Sequence, residues 1–327
     1  MKYIELFAGV GGFRLGIERA FYADGSQERG EQAYKKTLAT AGTRLQPSEG
    51  QSNGAEDGRS GERPTDGLNE RPLCVFANEW DKYAAQTYNK NFGGQIDTRD
   101  ITTISTNKIP DHDLLVGGFP CQAFSVAGKR AGFNDTRGTM FFEIARILAD
   151  KKPQHLLLEN VKGLLSHDSG RTFQTILKVL TDLGYGVEWQ VLNSKDFGVP
   201  QNRERVFIVG HLRGDSGRQV FPIRRGGRET YSKRTEKPQI YLGQAQRVRS
   251  TSGLSQTLAG LGGGQGAKTG LYAFGSRVRR LTPIECERLQ GFPDGWTEGV
   301  SDTQRYKQMG NAVTVNVIKA IIERLYI

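Results

Sequence analysis

The chain has 327 residues, with 45 Lys and Arg against 35 Asp and Glu, a formal net charge of +10 and a pI of about 9.5. That length can bury a sizeable core and suggests one large domain plus a smaller one, while the lack of any apolar run of about 18 residues excludes a membrane-spanning helix. Three scattered cysteines, Cys74, Cys121 and Cys286, exclude a disulfide framework or a zinc site and suit a reducing compartment; no metal is expected.

The first residues, MKYIELFAGVGG, turn glycine-rich without a small-residue cleavage site, so no secretory signal peptide is expected. Residues 3–7 read as a strand running into a helix over 12–21. Further strands are predicted over 73–77, 114–116, 156–159, 187–192 and 206–209, with helices over 82–91, 140–149, 173–183, 283–290 and 313–325. The order is mostly strand then helix, which predicts an α/β fold with a doubly wound, mostly parallel sheet. Two segments break the pattern. Residues 23–71 are rich in Gly, Ser, Glu and Arg with one aromatic, Tyr34, and read as a disordered, solvated insertion. Residues 212 to about 278 are rich in Arg and Gly and read as an excursion built from loops, either merely mobile or facing a substrate.

Motifs fall at the strand ends. ELFAGVGGF, Glu5 to Phe13, is a strand entering a glycine-rich turn that opens a helix, where backbone N–H groups can approach a ligand. NEWD, Asn78 to Asp81, offers an acid for ribose hydroxyls and an indole for a purine; RDI, Arg99 to Ile101, offers a further acid. Together they outline an adenosine-shaped pocket without phosphate-binding lysines, which points to S-adenosylmethionine. In GGFPCQAFS, Cys121 directly follows a proline beyond a buried strand, and it is either a small core residue or a nucleophile. In LLLENV, Glu159 ends an apolar strand, as a paired structural acid or as a carboxyl with a raised pKa. QNRER places Arg203 and Arg205 where they can pair with acids or orient an anion. Between Arg203 and Lys237 stand ten Lys or Arg against four acids, either a solvated face or the footprint of a polyanion.

The ordered series FAGVGG, NEWD, DI, GGFPCQAFS, TRGTMFF, ENV, QNRER, RRLTPIECERLQGFP and QMGNAV resembles the cytosine-5 DNA methyltransferases over nearly the whole chain. The resemblance implies an S-adenosylmethionine-dependent enzyme, of the restriction-modification type, that methylates C5 of a cytosine flipped out of a short duplex sequence. It assigns Cys121 as the nucleophile that adds to C6 and Glu159 to cytosine N3, with Arg203 and Arg205 holding that carboxyl and the substrate. Phe7, Gly9, Gly11, Gly12, Glu79, Trp80, Asp100, Ile101, Asn311 and Val313 would line the cofactor site. Pro120 would shape the cysteine loop beside it, and Thr139 and Met140 would lie between cofactor and substrate. Gln122, Ser125, Asn160, Thr257 and Leu258 would meet the DNA, with sequence choice made by about residues 214–278. The implied organisation is a catalytic domain of 1–213 plus 298–327 and a recognition domain of 214–297. A monomer in the cytoplasm, associated with the nucleoid, is expected, with a companion restriction endonuclease acting on the same site without a stable complex.

The chain departs from the family pattern in its insertion over 23–71 and in a short recognition segment. The alternatives are an RNA cytosine-5 methyltransferase, although the Cys-Phe-Thr tripeptide typical of a tRNA-modifying branch is absent, and a DNA-binding regulator without activity, which Cys121, Glu159 and Arg205 argue against.

Overall fold

The computed structural model describes residues 1–22, 71–94, 96–120, 140–212, 218–223, 240–241, 247–251, 253–260, 269–274 and 277–327. The insertion expected over 23–71 lies outside these, apart from Arg71, and so do residues 121–139, which include Cys121 and the cysteine loop expected over 122–134.

Six strands form the main sheet: β1 (Lys2–Leu6), β2 (Leu73–Asn78), β3 (Leu114–Gly118), β4 (His155–Val161), β5 (Tyr185–Asn193) and β6 (Glu204–Leu212), in the order β2-β1-β3-β4-β6-β5. Pairing is parallel from β2 through β4, whereas β6 runs antiparallel to both β4 and β5. The expected doubly wound, mostly parallel sheet is therefore present. Its chain order reverses direction at β1, because β2 lies on one side of it and β3 on the other. The crevice beyond the carboxyl ends of β1 and β3 is thus the switch point at which such sheets bind ligands.

Alternation along the strands divides the core. Ile4, Leu6, Leu115, Leu156, Leu158, Val206 and Ile208 face one way, against α3 (Met140–Lys151) and α4 (Arg171–Asp182). Tyr3, Leu114, Val116, Leu157, Phe207 and Val209 face the other, against α1 (Gly12–Phe21) and the C-terminal helix α7 (Val315–Tyr326). Helices on both faces explain why the strands read as continuous apolar runs. Between α1 and α7 the packing is close: a β-carbon on Gly16 would lie 2.6 Å from Ile318 Cβ.

The helix ends follow local chemistry. Helix α2 (Lys82–Phe92) is opened by the Asp81 carboxylate, which accepts from the N–H groups of Tyr83 and Ala84, and is closed by Gly93 at φ 65°. A capping box of Thr282 and Glu285, with Pro283 in the first turn, starts α5 (Pro283–Leu289). Helix α6 (Asp302–Asn311) was not among the expected elements. Only Tyr306, Gln308, Met309 and Gly310 of it are buried, so it carries little apolar periodicity.

The excursion read as loops contains a second sheet, β7 (Ile240–Tyr241), β8 (Arg247–Ser250), β9 (Leu271–Phe274) and β10 (Arg277–Arg280), in the order β10-β9-β8-β7. Strands of two to four residues are too short to show a period of two, and their arginines and glycines mask it further.

Candidate active site

The turn after β1 is held in a conformation that side chains seldom adopt. Phe7, Gly9 and Gly11 have φ of 54°, 55° and 84°, and the turn is closed by Gly11 N–H donating to the Ala8 carbonyl at 2.9 Å. For a phenylalanine this is backbone strain, which persists where the surroundings over-determine it. A β-carbon on Gly9 would meet nothing within 4 Å, so the chain there faces open space. One on Gly11 would overlap the Phe92 ring, and one on Gly12 would lie 2.7 Å from Val313 Cγ1. Of the glycines read as cofactor-lining, Gly9 borders a vacant surface, while Gly11 and Gly12 permit close packing.

At the end of β2, Glu79 is fastened by two backbone donors, Gly9 N–H to Oε2 and Asp81 N–H to Oε1, both at 2.8 Å. Burial pushes its pKa up, and those two N–H groups oppose the shift. Each carboxylate oxygen keeps a lone pair for a further donor. Trp80 beside it is 75 % exposed, an unusual place for so large an apolar ring and a suitable stacking surface. Asp97 pairs in bridge fashion with Asn78, which brings the next segment alongside. There Asp100 Oδ1 accepts from Thr102 N–H at 3.0 Å and Thr102 Oγ1 at 2.9 Å, and Ile101 is buried. Met140 opens α3 and packs against the core face that holds Phe119 and Phe141. Asn311 ends α6 with an exposed side chain, and Val313 is buried against α1 through Gly12. These groups can hold a neutral sugar and a purine, and the exposed ring, open glycine and doubly anchored acid fit adenosine.

The second half of the site lies at the ends of β3, β4 and β6. Glu159 stands opposite Gly118 of β3, whose missing side chain leaves room: a β-carbon there would lie 3.2 Å from Glu159 Oε2. Because β6 is antiparallel, its first residues reach the same edge, and Arg205 Nε meets Glu159 Oε1 at 3.0 Å with both side chains 15 % or less exposed. Burial raises the Glu159 pKa, and Arg205 first, then Arg203, hold it back. The carboxyl is therefore poised to keep a proton to higher pH than an ordinary glutamate.

Arg203 does something different from Arg205. Its guanidinium is buried and donates to three carbonyls: Leu258 at 3.3 Å, Gly310 at 3.1 Å and Ala312 at 2.8 Å. Burial, and secondarily Arg205, lower its pKa to about 9. It joins the Thr257–Leu258 pair to the segment that carries Asn311 and Val313. Thr257 Oγ1 donates to the Asn202 carbonyl at 2.7 Å, and Leu258 is buried. Asn160, expected to meet substrate, is itself buried: Nδ2 donates to the Phe119 carbonyl at 2.9 Å and Oδ1 accepts from Val161 N–H at 2.8 Å. It fixes the chain one residue before the exposed Pro120. Cys121, Gln122, Ser125 and Thr139 lie outside the described residues. Of the other two cysteines, burial pushes Cys74 to about 11 and Cys286 to about 12, so neither is poised as a thiolate.

Asp81 and Lys307 escaped sequence reasoning. Lys307 Nζ meets Asp81 Oδ2 at 2.6 Å, tying α6 to the start of α2 beside Glu79. The acid directly before a helix was a signal for Asp81 as a cap, but nothing local marks Lys307. Among the described residues, no group of three or more His, Cys, Asp or Glu is placed to hold a metal, and no helix is long and apolar enough to cross a membrane.

The family model of the C-5 cytosine-specific DNA methylases matches residues 67–259 and 220–326. The chain is 36 % identical to the Type II methyltransferase M.HhaI of Haemophilus parahaemolyticus, over 98 % of this chain and 93 % of that protein. It is 41 % identical to the Type II methyltransferase M.NlaX of Neisseria lactamica, over 99 % of this chain and 96 % of that protein. The solved structure of the S. pombe Dnmt2 methyltransferase superposes with a TM-score of 0.67 at 18 % identity, covering 99 % of this chain and 98 % of that one. At that identity the likeness carries the fold alone.

Proposed function

The chain belongs to the C-5 cytosine-specific DNA methylase family, and from that premise we propose that it methylates C5 of a flipped-out cytosine within a short duplex sequence, with Cys121 as nucleophile. The observation that carries this reading is the Glu159–Arg205 pair, set at the carboxyl edge of the sheet beside the β3 end from which the chain runs on to Cys121. S-adenosylmethionine, when bound, would supply an electrophilic methyl group, the sulfur–methyl bond breaking with its electron pair to leave S-adenosylhomocysteine. Phe7, Gly9, Glu79, Trp80, Asp100 and Ile101 would hold its adenosine, with Met140, Asn311 and Val313 completing the wall.

The reaction asks three things of this chain. The Cys121 thiolate adds to C6, so that an Sγ–C6 bond forms and the C5–C6 π pair becomes available at C5 for the new carbon–carbon bond. Loss of the C5 proton to a base and expulsion of the thiolate then restore the ring. Glu159, whose pKa burial raises against the pull of Arg205 and Arg203, would hydrogen-bond cytosine N3 through a shared proton and make C6 the better electrophile. Arg205 fixes the direction in which that carboxyl points. Asn160 holds the carbonyl of Phe119 and so the origin of the cysteine loop. Arg203 acts by positioning: its two terminal nitrogens donate to the carbonyls of Leu258, Gly310 and Ala312, while its buried Nε has no hydrogen-bond partner among the described residues.

The recognition region is 214–297, between the catalytic parts 1–213 and 298–327. Its basic block suits the phosphate backbone, and its Arg, Lys and Gln suit base edges. The enzyme works as a cytoplasmic, nucleoid-associated monomer beside a restriction endonuclease of the same specificity. DNA is favoured over RNA because the relatives that are 36–44 % identical are Type II methyltransferases.

The test is bisulfite sequencing of plasmid DNA from a host without cytosine methylation that expresses the chain or its Cys121→Ser variant. Protection of cytosines within one short motif, lost in the variant, is the expected result. Protection that survives Cys121→Ser would refute the nucleophile, and none from a folded, cofactor-binding protein would refute the substrate.

A further inference from the structure

Three aromatic rings from outside the turn after β1 meet its backbone at three successive residues. Trp296 Nε1 donates to the Val10 carbonyl at 2.9 Å. The Phe92 ring fills the place of a side chain on Gly11, and a β-carbon on Gly12 would lie 3.3 Å from Phe292 Cζ. The rings also pack on each other: Trp296 is 5.4 Å from Phe92 at 74° and 5.4 Å from Phe292 at 48°. A buried indole N–H needs an acceptor, and here the acceptor belongs to a turn 286 residues away in the chain.

The segment that carries Trp296 is fixed independently of that turn. Glu287, wholly buried, accepts from Gly295 N–H at 2.7 Å, Thr297 N–H at 3.0 Å and Arg305 Nη2 at 3.1 Å. From α2, Lys90 Nζ donates to the carbonyls of Gly295 at 3.1 Å and Glu298 at 3.0 Å, and Asn91 Nδ2 donates to that of Trp296 at 2.9 Å. With the indole held from both sides, the turn conforms to the ring. One residue from Val10, the Gly9 N–H holds the Glu79 carboxylate.

We propose that Trp296 is a positioning residue for the cofactor: its indole N–H fixes the Val10 carbonyl and thereby the aim of the Gly9 N–H and Glu79, setting affinity for S-adenosylmethionine without acting in the methyl transfer. The inference rests on the reading above that this turn binds S-adenosylmethionine.

Trp296→Phe in the full chain keeps a packed ring and removes the donor. Calorimetric titration with S-adenosylmethionine, and steady-state kinetics on duplex DNA, should show Kd and KM for the cofactor raised about tenfold with kcat unchanged, the pattern of lost binding alone. Phe92→Leu, which leaves the indole bond but withdraws the ring behind Gly11, should raise Kd in the same direction and serves if Trp296→Phe does not fold. Leu180→Ala in α4 lowers stability far from the turn and should leave Kd unchanged. An unchanged Kd in either turn variant, or an equal rise in Leu180→Ala, would overturn the inference while leaving the cofactor reading intact. Failure of the wild-type chain to bind S-adenosylmethionine would overturn both.

Discussion

Glu5 is the penultimate residue of β1, wholly buried, at the base of the turn that carries Phe7 and Gly9. Burial pushes its pKa up to about 8, opposed by the Arg14 cation, the Arg14 N–H at 3.4 Å and the Tyr88 hydroxyl at 3.2 Å. Glu18, which takes the Arg14 Nε at 3.0 Å, adds to the rise. An acid whose folded pKa is raised binds its proton more tightly when folded, so folding is favoured below the unfolded value of 4.5 and that advantage is lost as pH rises toward about 8. Each pH unit in this window removes about 1.4 kcal/mol, on the order of 4 kcal/mol between pH 5 and pH 8. Glu5→Gln keeps the shape, can still accept from the Arg14 N–H and leaves nothing to titrate. Urea unfolding of wild type and variant at pH 5, 6, 7 and 8 should give similar stabilities at pH 5 and a widening advantage for Glu5→Gln above it. Parallel curves across that range would refute the assignment of a buried, protonated Glu5.

Asn160→Ala strands the Phe119 carbonyl and the Val161 N–H and should cost about 1–3 kcal/mol of stability; single-turnover methylation should slow about tenfold as the cysteine loop loses its anchor, and an unchanged rate would remove Asn160 from the positioning of that loop. Arg203→Met should lower stability by about 2 kcal/mol, and Arg203→Lys by more, because an ammonium keeps the burial cost while reaching fewer of the three carbonyls. Unfolding free energies that rank Lys above Met would contradict this. Gly310→Ala should destabilise α6 by about 1–3 kcal/mol through overlap with the Ala259 backbone, although helix propensity alone favours alanine by about 1 kcal/mol. A raised melting temperature would show that the two segments can part.

The main sheet was legible because both of its faces are covered, so β3, β4 and β6 hold buried apolar runs, whereas β5, with Glu188 and Gln190 inside it, does not. The Glu159–Arg205 pair was legible for a related reason: charges that end apolar strands must find partners, and register places Val161 opposite Arg205 with Glu159 two residues before it. Helix α6 was not, because it buries Gln308 through Thr87 Oγ1 and the Tyr83 carbonyl rather than through an apolar stripe. The partners of Arg203 were equally hidden, since its acceptors are main-chain carbonyls that carry no side-chain signature. QNRER suggested two arginines with one task, whereas the fold gives one a carboxylate and the other three carbonyls.

That division gives the carboxyl edge of the sheet two electrostatic ends. At the β2 side stand Glu79, Asp81, Asp97 and Asp100; at the β6 side stand Arg203 and Arg205, with the basic run to Lys237 following in sequence. Lys307 and Arg99 offset Asp81 and Asp97, so the β2 side is close to balanced in charge, while the cations at the other end suit a polyanion. Neither end alone specifies the reaction. Glu159 lies at the end of β4, between β3 and β6, where burial and Arg205 act on its proton in opposite directions. Moving it to the β2 side would remove Arg205 and leave its direction unset, since Lys307 and Arg99 there are already paired with Asp81 and Asp97. The order β1-β3-β4-β6 therefore places Glu159 next to the end of β3, away from the acids at the β2 side.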